Sequence, residues 1–521
     1  FGSRKRRVSQ HARGPRRSRG GPAAQPPSRM RCCQCLWGGP TTAYRSEASE
    51  VPQQSGSIPH EFTPNRFDRR SDGTGQDAEE DQLAAEWLDV PTPGEREGVD
   101  VAAVLDQLDR GRDKELICIS GSFCSDDLNG YSIFDGVPTA TKMALIKCSL
   151  GTSALERAMG SMCGMAVGDA LGHPFEFMPA QDEPRESRFD LRELKFYGES
   201  NSFRLHRGQW TDDAAMGLCI ADSIIMRRAF DGSDMRVRFW CWWNRGMNNA
   251  FRHDRTRSSS VGLGGNIAKS LYDVSRHKSV DSVSPTFDVG GEDAGNGSLM
   301  RFTPIALYLH SASWDDLYYY ARMSSYTTHP GIIAAEACSF LAHLIVKALR
   351  LPRDHDGNAQ RFLDEAAAEY LECSGLSKKS GWGYDQMKWL VTSRPQNDTE
   401  RCWNWRSKTI DISGTLSARG RSYNGYPVSA GYFGSYSLDG MALALWSVYN
   451  TTSFDEAVTR SVNLLGDADS HGSITGQIAG AFYGYRSIHP QFIRWLSQWD
   501  DHEFAARAVL LHRLGCAERR D

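Results

Sequence analysis

Long apolar runs are missing from this chain of 521 residues: nowhere do ~18 apolar residues follow one another, the length a membrane helix needs, so no transmembrane segment and no membrane partner is expected. Paired cysteines are missing too. Thirteen cysteines are scattered from Cys32 to Cys516; only CCQC at 32–35 clusters, it has no second half with zinc-site spacing, and no disulfide framework emerges. That usage points to a reducing, intracellular setting, cytoplasmic or nuclear. A dominant charge sign is also absent, the net charge being −4, so the folded part gives no reason to expect a nucleic-acid partner. Strand-like alternation is nearly absent, which leaves an all-α reading.

What is present is unevenly charged. Residues 1–70 carry 14 Lys and Arg against 4 Asp and Glu, with RKRR at 4–7 and RGPRRSRGG at 13–21, and residues 71–115 reverse the balance to 4 against 14. Both stretches are poor in apolar residues and cannot bury enough surface to offset the entropy of ordering them, so 1–80 is expected to be a disordered tail. Its basic run is read first as solvated, with a nuclear localisation or transit signal as the functional alternatives. Residues 81–150 carry short apolar patterns (LAAEWL, VAAVLDQL, ELICIS, MALIKCSL), enough for a helix or two and a short strand.

From Ser153 the texture changes. SALERAMGSMCGMAVGDALG opens with Ser153 and Glu156 at capping-box spacing and continues with helical periodicity. Further helices are predicted over 213–228, 234–245, 299–309, 330–350, 359–373, 438–449, 454–464, 473–485 and 500–514. Residues 151–521 therefore read as one compact multi-helix domain, with an insertion at 374–436, rich in Gly, Ser, Tyr and Trp, taken as loop.

Two of these helices carry glycine at every fourth position: Gly160, Gly164 and Gly168 on one, Gly476, Gly480 and Gly484 on the other. Each costs roughly 1 kcal/mol against Ala in a helix interior, so three in register imply that another backbone passes close along that face. Two tightly crossed central helices follow. Both hold carboxylates at the end of the glycine face, GDALGHPFEF (168–177) after one and GDADS (466–470) before the other. A third acidic cluster, WTDD at 210–213, opens a helix that is apolar nearly all round.

Taken singly, Thr211, Asp212 and Asp213, or Asp467, Asp469 and Ser470, read first as helix caps, since Thr caps well and first-turn acids complement the helix dipole. Two such clusters on buried helices shift the balance, because unpaired buried carboxylates are very costly without a cation. Hard carboxylate and hydroxyl oxygens with no nearby Cys or paired His favour Mg2+, Mn2+ or Ca2+ over zinc. An EF-hand is excluded: counting from Asp467, Gly472 falls correctly at position 6, but His471 stands at position 5 and Ile478 at position 12, where a bidentate Glu is needed.

In order along the chain, GDALGHPFE, WTDD, GNGSLMR (295–301), THP (328–330) and GDADS with its glycine-patterned helix resemble the ADP-ribosylglycohydrolase family, the relatives of the dinitrogenase reductase-activating glycohydrolase, over roughly 153–485. The resemblance implies an all-α fold with a two-metal centre, two Mg2+ or Mn2+, at the base of an ADP-ribose cleft. Matched position by position, Thr211, Asp212 and Asp213 answer to the first ligand motif and Asp467, Asp469 and Ser470 to the second. Ser470 stands where the family usually has threonine. Glu176, with Asp213, is the catalytic carboxylate that the resemblance implies.

The remaining motifs fit a phosphosugar. Gly295, Asn296, Gly297 and Ser298 precede a predicted helix, where backbone N–H groups and the dipole can receive a diphosphate; a flexible helix entry is the competing reading. The resemblance adds His329 of THP as a substrate-binding residue, and GYFGSYSLDG at 431–440 offers tyrosines as an aromatic face for adenine. The implied reaction is hydrolysis at the anomeric carbon of the terminal ribose of an ADP-ribosylated protein or an ADP-ribose-containing small molecule, by a monomer. A non-catalytic ADP-ribose reader and a metal-dependent phosphoester hydrolase are the alternatives. Removing residues 1–80 is expected to leave the melting temperature unchanged in calorimetry of the shortened chain.

Overall fold

Helical periodicity governs most of the described residues. A computed structural model describes residues 100–517 apart from 120–127, 184–187, 253, 255, 258, 278–279, 289–293, 425 and 429–430; the expected tail over 1–80 lies outside the described residues. In order the helices are α1 (Val101–Ile119), α2 (Thr139–Ser149), α3 (Ser153–Gly172), α4 (Asp212–Arg227), α5 (Gly232–Arg245), α6 (Gly265–Ser275), α7 (Thr303–Tyr308), α8 (Trp314–Tyr326) and α9 (Ile332–Leu349). There follow α10 (Ala359–Cys373), α11 (Trp382–Thr392), α12 (Ile412–Arg419), α13 (Ser437–Tyr449), α14 (Phe454–Val462), α15 (Ala468–Tyr483), α16 (Pro490–Asp500) and α17 (Glu503–Ala517). Strand among the described residues is confined to two short antiparallel ribbons, Phe189–Asp190 with Lys195–Phe196 and Ser422–Tyr423 with Tyr426–Pro427.

The centre is an antiparallel crossing of α3 with α15. A Cβ on Gly160 would lie 2.3 Å from Gly480 O, one on Gly164 2.2 Å from Gly476 O, and one on Gly168 2.1 Å from Gly472 O. No side chain fits at such distances, so backbone touches backbone along the contact. One expected glycine is corrected by this register. Gly472 completes the face of α15, whereas Gly484, at φ 89°, ends the helix. Around the pair, α4, α7 and α17 pack on α3, while α9, α13 and α14 pack on α15. By length and composition α9 is apolar enough to cross a membrane, but 89% of it is buried inside the protein, as a core helix must be.

Other expectations change. Within 374–436, read as loop, α11 and α12 form, together with a 3-10 turn over Asp398–Trp403. Helix α11 buries Gly383, Gln386, Met387, Leu390 and Val391, an i, i+3, i+4, i+7 stripe that the Gly- and Trp-rich composition conceals. The helix expected over 500–514 forms as α17, starting at Glu503; before it stands α16, which was not expected, and Asp501 and His502, with φ values of 51° and 64°, part the two. Ser153 is not a cap: Thr152 holds that position without a side-chain bond, and Glu156 reaches back to Gly151 N at 2.5 Å. Nor is the chain before α3 loosely attached, since Lys142 Nζ in α2 meets Glu503 Oε1 of α17 at 3.1 Å, with both side chains buried.

Ala is the better helix former by roughly 1 kcal/mol, yet Gly480→Ala would set a methyl 2.0 Å from Gly160 O. Net destabilisation of about 1–3 kcal/mol by overpacking is expected in urea unfolding, and more for Gly480→Leu. An unchanged midpoint would mean that the two backbones do not touch.

Candidate active site

The crossing of α3 and α15 carries two aspartates to one place. Asp169 lies in the last turn of α3 and Asp469 in the first turn of α15, and Gly168 and Gly172 of the one helix abut Gly472 and Ala468 of the other. The start of α4 is drawn to the same point. The Asp169 carboxylate accepts hydrogen bonds from Thr211 N (2.9 and 3.0 Å), Ala214 N (3.0 Å) and Thr211 Oγ1 (2.9 Å), so it caps α4 from a different helix. Thr211 occupies the N-cap position but makes no capping bond with its own side chain. Its hydroxyl lies 3.3 Å from Asp213 Oδ2 and 3.4 Å from Asp469 Oδ2, the latter 258 positions away in sequence.

The chain leaving α3 supplies a third approach. Residues 176–178 run beside Gly466 as a parallel bridge, Phe177 N donating to Gly466 O and Gly466 N to Met178 O, each at 3.0 Å. Gly466 has φ 75°, and a Cβ there would come 2.3 Å from Phe433 O, so only glycine allows the approach. Two buried carboxylate triads result: Asp169, Asp213 and Asp469, then Glu176, Asp467 and Asp469, with the oxygens of each within 4.8 Å of one another. Asp469 belongs to both. Asp212 faces Gly262, where a Cβ would fall 2.1 Å from its Oδ1.

Such crowding has an electrostatic signature. Burial pushes the Asp169 carboxyl up to about 7 in spite of its hydrogen bonds; burial and then Asp469 raise Asp467 to about 7; burial and then Asp169 raise Asp469 to about 6. Asp212, Asp213 and Glu176 are driven higher still, in each case by burial first and neighbouring acids next. Asp213 Oδ1 and Glu176 Oε2 are buried without a protein partner. Carboxylates and hydroxyls with oxygens left over, and no thiolate or imidazole among them, suit hard divalent cations, whose charge would cancel the repulsion.

A cavity of about 270 Å³ opens on this centre, lined by Glu176, Asp212, Asp467, Asp469 and Ser470, and also by 295–297, His329 and Tyr432. Asn296 Nδ2 donates to Asp467 Oδ2 (2.8 Å) and Gly434 O (3.1 Å), which ties GNGS to the tyrosine-bearing loop. No helix begins at GNGS, however. Asn296–Ser298 is a 3-10 turn and α7 starts only at Thr303, so the expected helix dipole is not aimed at a ligand there. Ser298 turns its hydroxyl to Ser325 (2.9 Å) and Cys338 (3.4 Å) in the interior.

Gly295 and Gly297 leave room for the His329 ring, since a Cβ on Gly297 would be 2.9 Å from its Cε1. Arg301 Nη2 donates to Thr328 Oγ1 at 2.6 Å, and the same hydroxyl lies 2.7 Å from His329 Nδ1, which fixes the ring in place. Ser470 sets its hydroxyl 3.7 Å from Met300 Sδ. Tyr432 stacks with Phe177 at 5.8 Å, and Phe177 is 55% exposed with φ 67°, a conformation that costs a bulky residue on the order of 1–3 kcal/mol.

The residue that sequence reasoning missed is Asp169. A signal for it exists: an acid in the last turn of an apolar helix opposes the dipole and calls for a compensating donor.

Comparison with known proteins places this geometry. The family model described as ADP-ribosylglycohydrolase matches residues 151–518. The chain is 26% identical over 353 residues to "ADP-ribosylarginine hydrolase Tri1" of Pseudomonas putida (strain GB-1), covering 67% of this chain and 76% of that one. It is 28% identical over 355 residues to "ADP-ribosylhydrolase ARH3" of Danio rerio, covering 64% and 84%. With "ADP-ribosyl-[dinitrogen reductase] glycohydrolase" of Rhodospirillum rubrum it shares 25% identity over 352 residues, covering 67% and 92%.

Raised carboxyls make a stability prediction. A group whose folded pKa exceeds its unfolded value contributes stability at low pH that is lost as pH climbs through the folded value, here about 7 for Asp467. Asp467→Asn keeps an oxygen for Asn296 and removes one charge. At about pH 8 without divalent cations it is expected to melt above the wild type, and in excess Mg2+ or Mn2+ the order reverses. A substitution that moves neither melting curve would show that the cluster carries no repulsion.

Proposed function

The chain belongs to the ADP-ribosylglycohydrolase family of hydrolases, and on that premise we propose that it cleaves the glycosidic bond between the terminal ribose of ADP-ribose and an acceptor, with two Mg2+ or Mn2+ completing its centre. The observation that carries this reading is the pair of buried triads sharing Asp469, with Asp213 Oδ1 and Glu176 Oε2 unpartnered and Glu176, Asp467 and Asp469 lining a cavity large enough for a sugar. Thr211, Asp212, Asp213, Asp467, Asp469 and Ser470 are the ligands in this proposal. Asp169, whose oxygens are taken up by three donors, positions Thr211 and the start of α4. Cations held there supply positive charge and Lewis acidity toward hydroxyl and water oxygens.

The rest falls to the protein. Asn296 is held by Asp467 and Gly434, and with the His329 ring it meets the oxygens of the phosphosugar along the cavity wall. The paired faces of Tyr432 and Phe177 cover an aromatic or sugar ring. Glu176 is the group placed to exchange a proton as water adds to the anomeric carbon and the bond to the acceptor breaks, the acceptor atom leaving with a proton. Two relatives bear names that specify arginine or dinitrogen reductase; an ADP-ribosylated protein is accordingly the substrate to assay first, with arginine linkage ahead of other side chains and small molecules.

Asp212→Ala and Asp469→Ala are each expected to abolish cation-dependent release of free ADP-ribose and to lower the Mg2+ or Mn2+ stoichiometry in calorimetry, with the double variant little worse than either. Release of AMP or phosphate instead, or full turnover by Asp469→Ala, would overturn the proposal.

A further inference from the structure

A second group of ligating side chains lies outside the acidic centre. At the C-terminal end of α17, His512 and Cys516 stand one helical turn apart, and both face His310 in the turn after α7. One ligand atom from each of the three lies within 4.8 Å of the other two. His310 Nδ1 donates to Leu307 O at 2.8 Å, which leaves Nε2 as the lone-pair nitrogen, 3.4 Å from Cys516 Sγ. His512 is 7% exposed and neither of its ring nitrogens has a hydrogen-bond partner, an arrangement that folded proteins rarely keep without a reason. Its ring stacks on His310 at 3.8 Å and 16°. Both segments are fixed in place: a Cβ on Gly515 would lie 2.0 Å from Tyr308 O, and Ser311 Oγ donates to Gly515 O at 2.5 Å.

We propose that His310, His512 and Cys516 form a binding site for a borderline-soft divalent cation, Zn2+ by its chemistry, separate from the acidic centre. Imidazole nitrogen and thiolate sulfur are the donor types of zinc sites, and three protein ligands with a fourth position open to solvent is a ligand number they use; Zn–N of ~2.0–2.1 Å and Zn–S of ~2.3 Å put tetrahedral ligand atoms roughly 3.3–3.7 Å apart. The Nε2 to Sγ spacing already matches, and only the His512 ring must splay from its stack. The His310 bond to a backbone carbonyl is the outer partner that metal-bound histidines usually have. Burial first, then His310 and Arg513, lower the His512 pKa to about 3, so its imidazole is neutral and can donate a lone pair. On binding, the Cys516 thiol gives its proton to solvent as the sulfur–zinc bond forms. The cation would clip the last turn of α17 to the turn after α7.

The test is a cobalt titration of the full chain after chelator treatment, with Zn2+ displacement. The wild type is expected to show a sulfur-to-cobalt charge-transfer band and tetrahedral visible absorption, both lost on adding Zn2+. Cys516→Ser, at an exposed position, is expected to lose the part of the band due to this site and one equivalent of tightly held zinc, with cation-dependent ADP-ribose release unchanged. Thiols at 32–35 contribute equally to both proteins and cancel in the difference. His512→Ala is expected to weaken zinc at least tenfold. Equal bands and equal zinc content in the wild type and Cys516→Ser would overturn the proposal and leave a stacked, hydrogen-bonded cluster only. Because the readout is thiolate-specific, the result stands whether or not the acidic centre proves to be a hydrolase.

Discussion

The absence of any side chain between α3 and α15 is the constraint on which this molecule turns. Each glycine Cα along the crossing sits where a carbonyl oxygen of the other helix takes up the space a Cβ would need, with reciprocal clearances of 2.2 Å and 1.9 Å at Gly164 and Gly476. A contact between backbones has no rotamers through which to relax, so the axial register of the two helices is set. That register places Asp169 and Asp469 side by side although they come from opposite ends of the described chain. Packing tolerances of this kind are what a catalytic constellation needs, because errors of half an ångström in ligand position are felt.

Two buried charge clusters in the same fold show what the acidic centre is missing. In the first, Glu503 is held by Arg252 at 2.6 Å and Arg507 at 3.1 Å, with Lys142 also at 3.1 Å, while Arg507 turns to Asp222 at 2.6 Å. Burial pushes the Glu503 carboxyl up, but Arg507, Arg252 and Lys142 outweigh it and hold it down at about 2. In the second, no Lys or Arg among the described residues makes an ion pair with Asp169, Glu176, Asp212, Asp213, Asp467 or Asp469, and the carboxyls go up instead. The same fold therefore neutralises Glu503 and Asp222 with its own cations, while among the described residues the six acids of the centre have no ion-pair partner. Replacing the second arrangement by a balanced one was open to the sequence, so the deficit is a feature of the site, of the size that bound divalent cations would correct.

Much of this was legible in the residues, for physical reasons that can be named. The glycine period along α3 and α15 could be read because glycine in a helix interior is unfavourable and therefore informative. The acids of WTDD and GDADS could be read because oxygens at buried helix starts have few alternatives. Asp169 announced only that an acid in a last helical turn needs a donor; which donor could not be read, because the backbone amides of Thr211 and Ala214 leave no trace in sequence. Helix α11 was hidden by composition, its buried stripe interleaved with Trp382, Tyr384 and Trp389. The dipole argument at GNGS failed because a helix start placed at 299 in sequence falls at Thr303, and an anion site depends on where the first turn begins.

The helix starts themselves separate a cap from a ligand. Threonine and aspartate at an N-cap normally accept a hydrogen bond from the amide two or three residues on, and losing that bond costs about 0.5–2 kcal/mol. Asp231, Ser313, Asn358 and Ser453 all make it, to Asp234, Asp316, Arg361 and Glu456. Thr211 and Asp467 stand at the same position and do not. Their side chains point instead into the cluster, Thr211 toward Asp169, Asp213 and Asp469, and Asp467 toward Asn296. For α4 the lost cap is restored by Asp169 across the helix boundary. Thr152, the N-cap of α3, also makes no side-chain bond, so a missing cap is not by itself the mark of a ligand; what distinguishes Thr211 and Asp467 is that both turn their freed oxygens into the same acidic cluster.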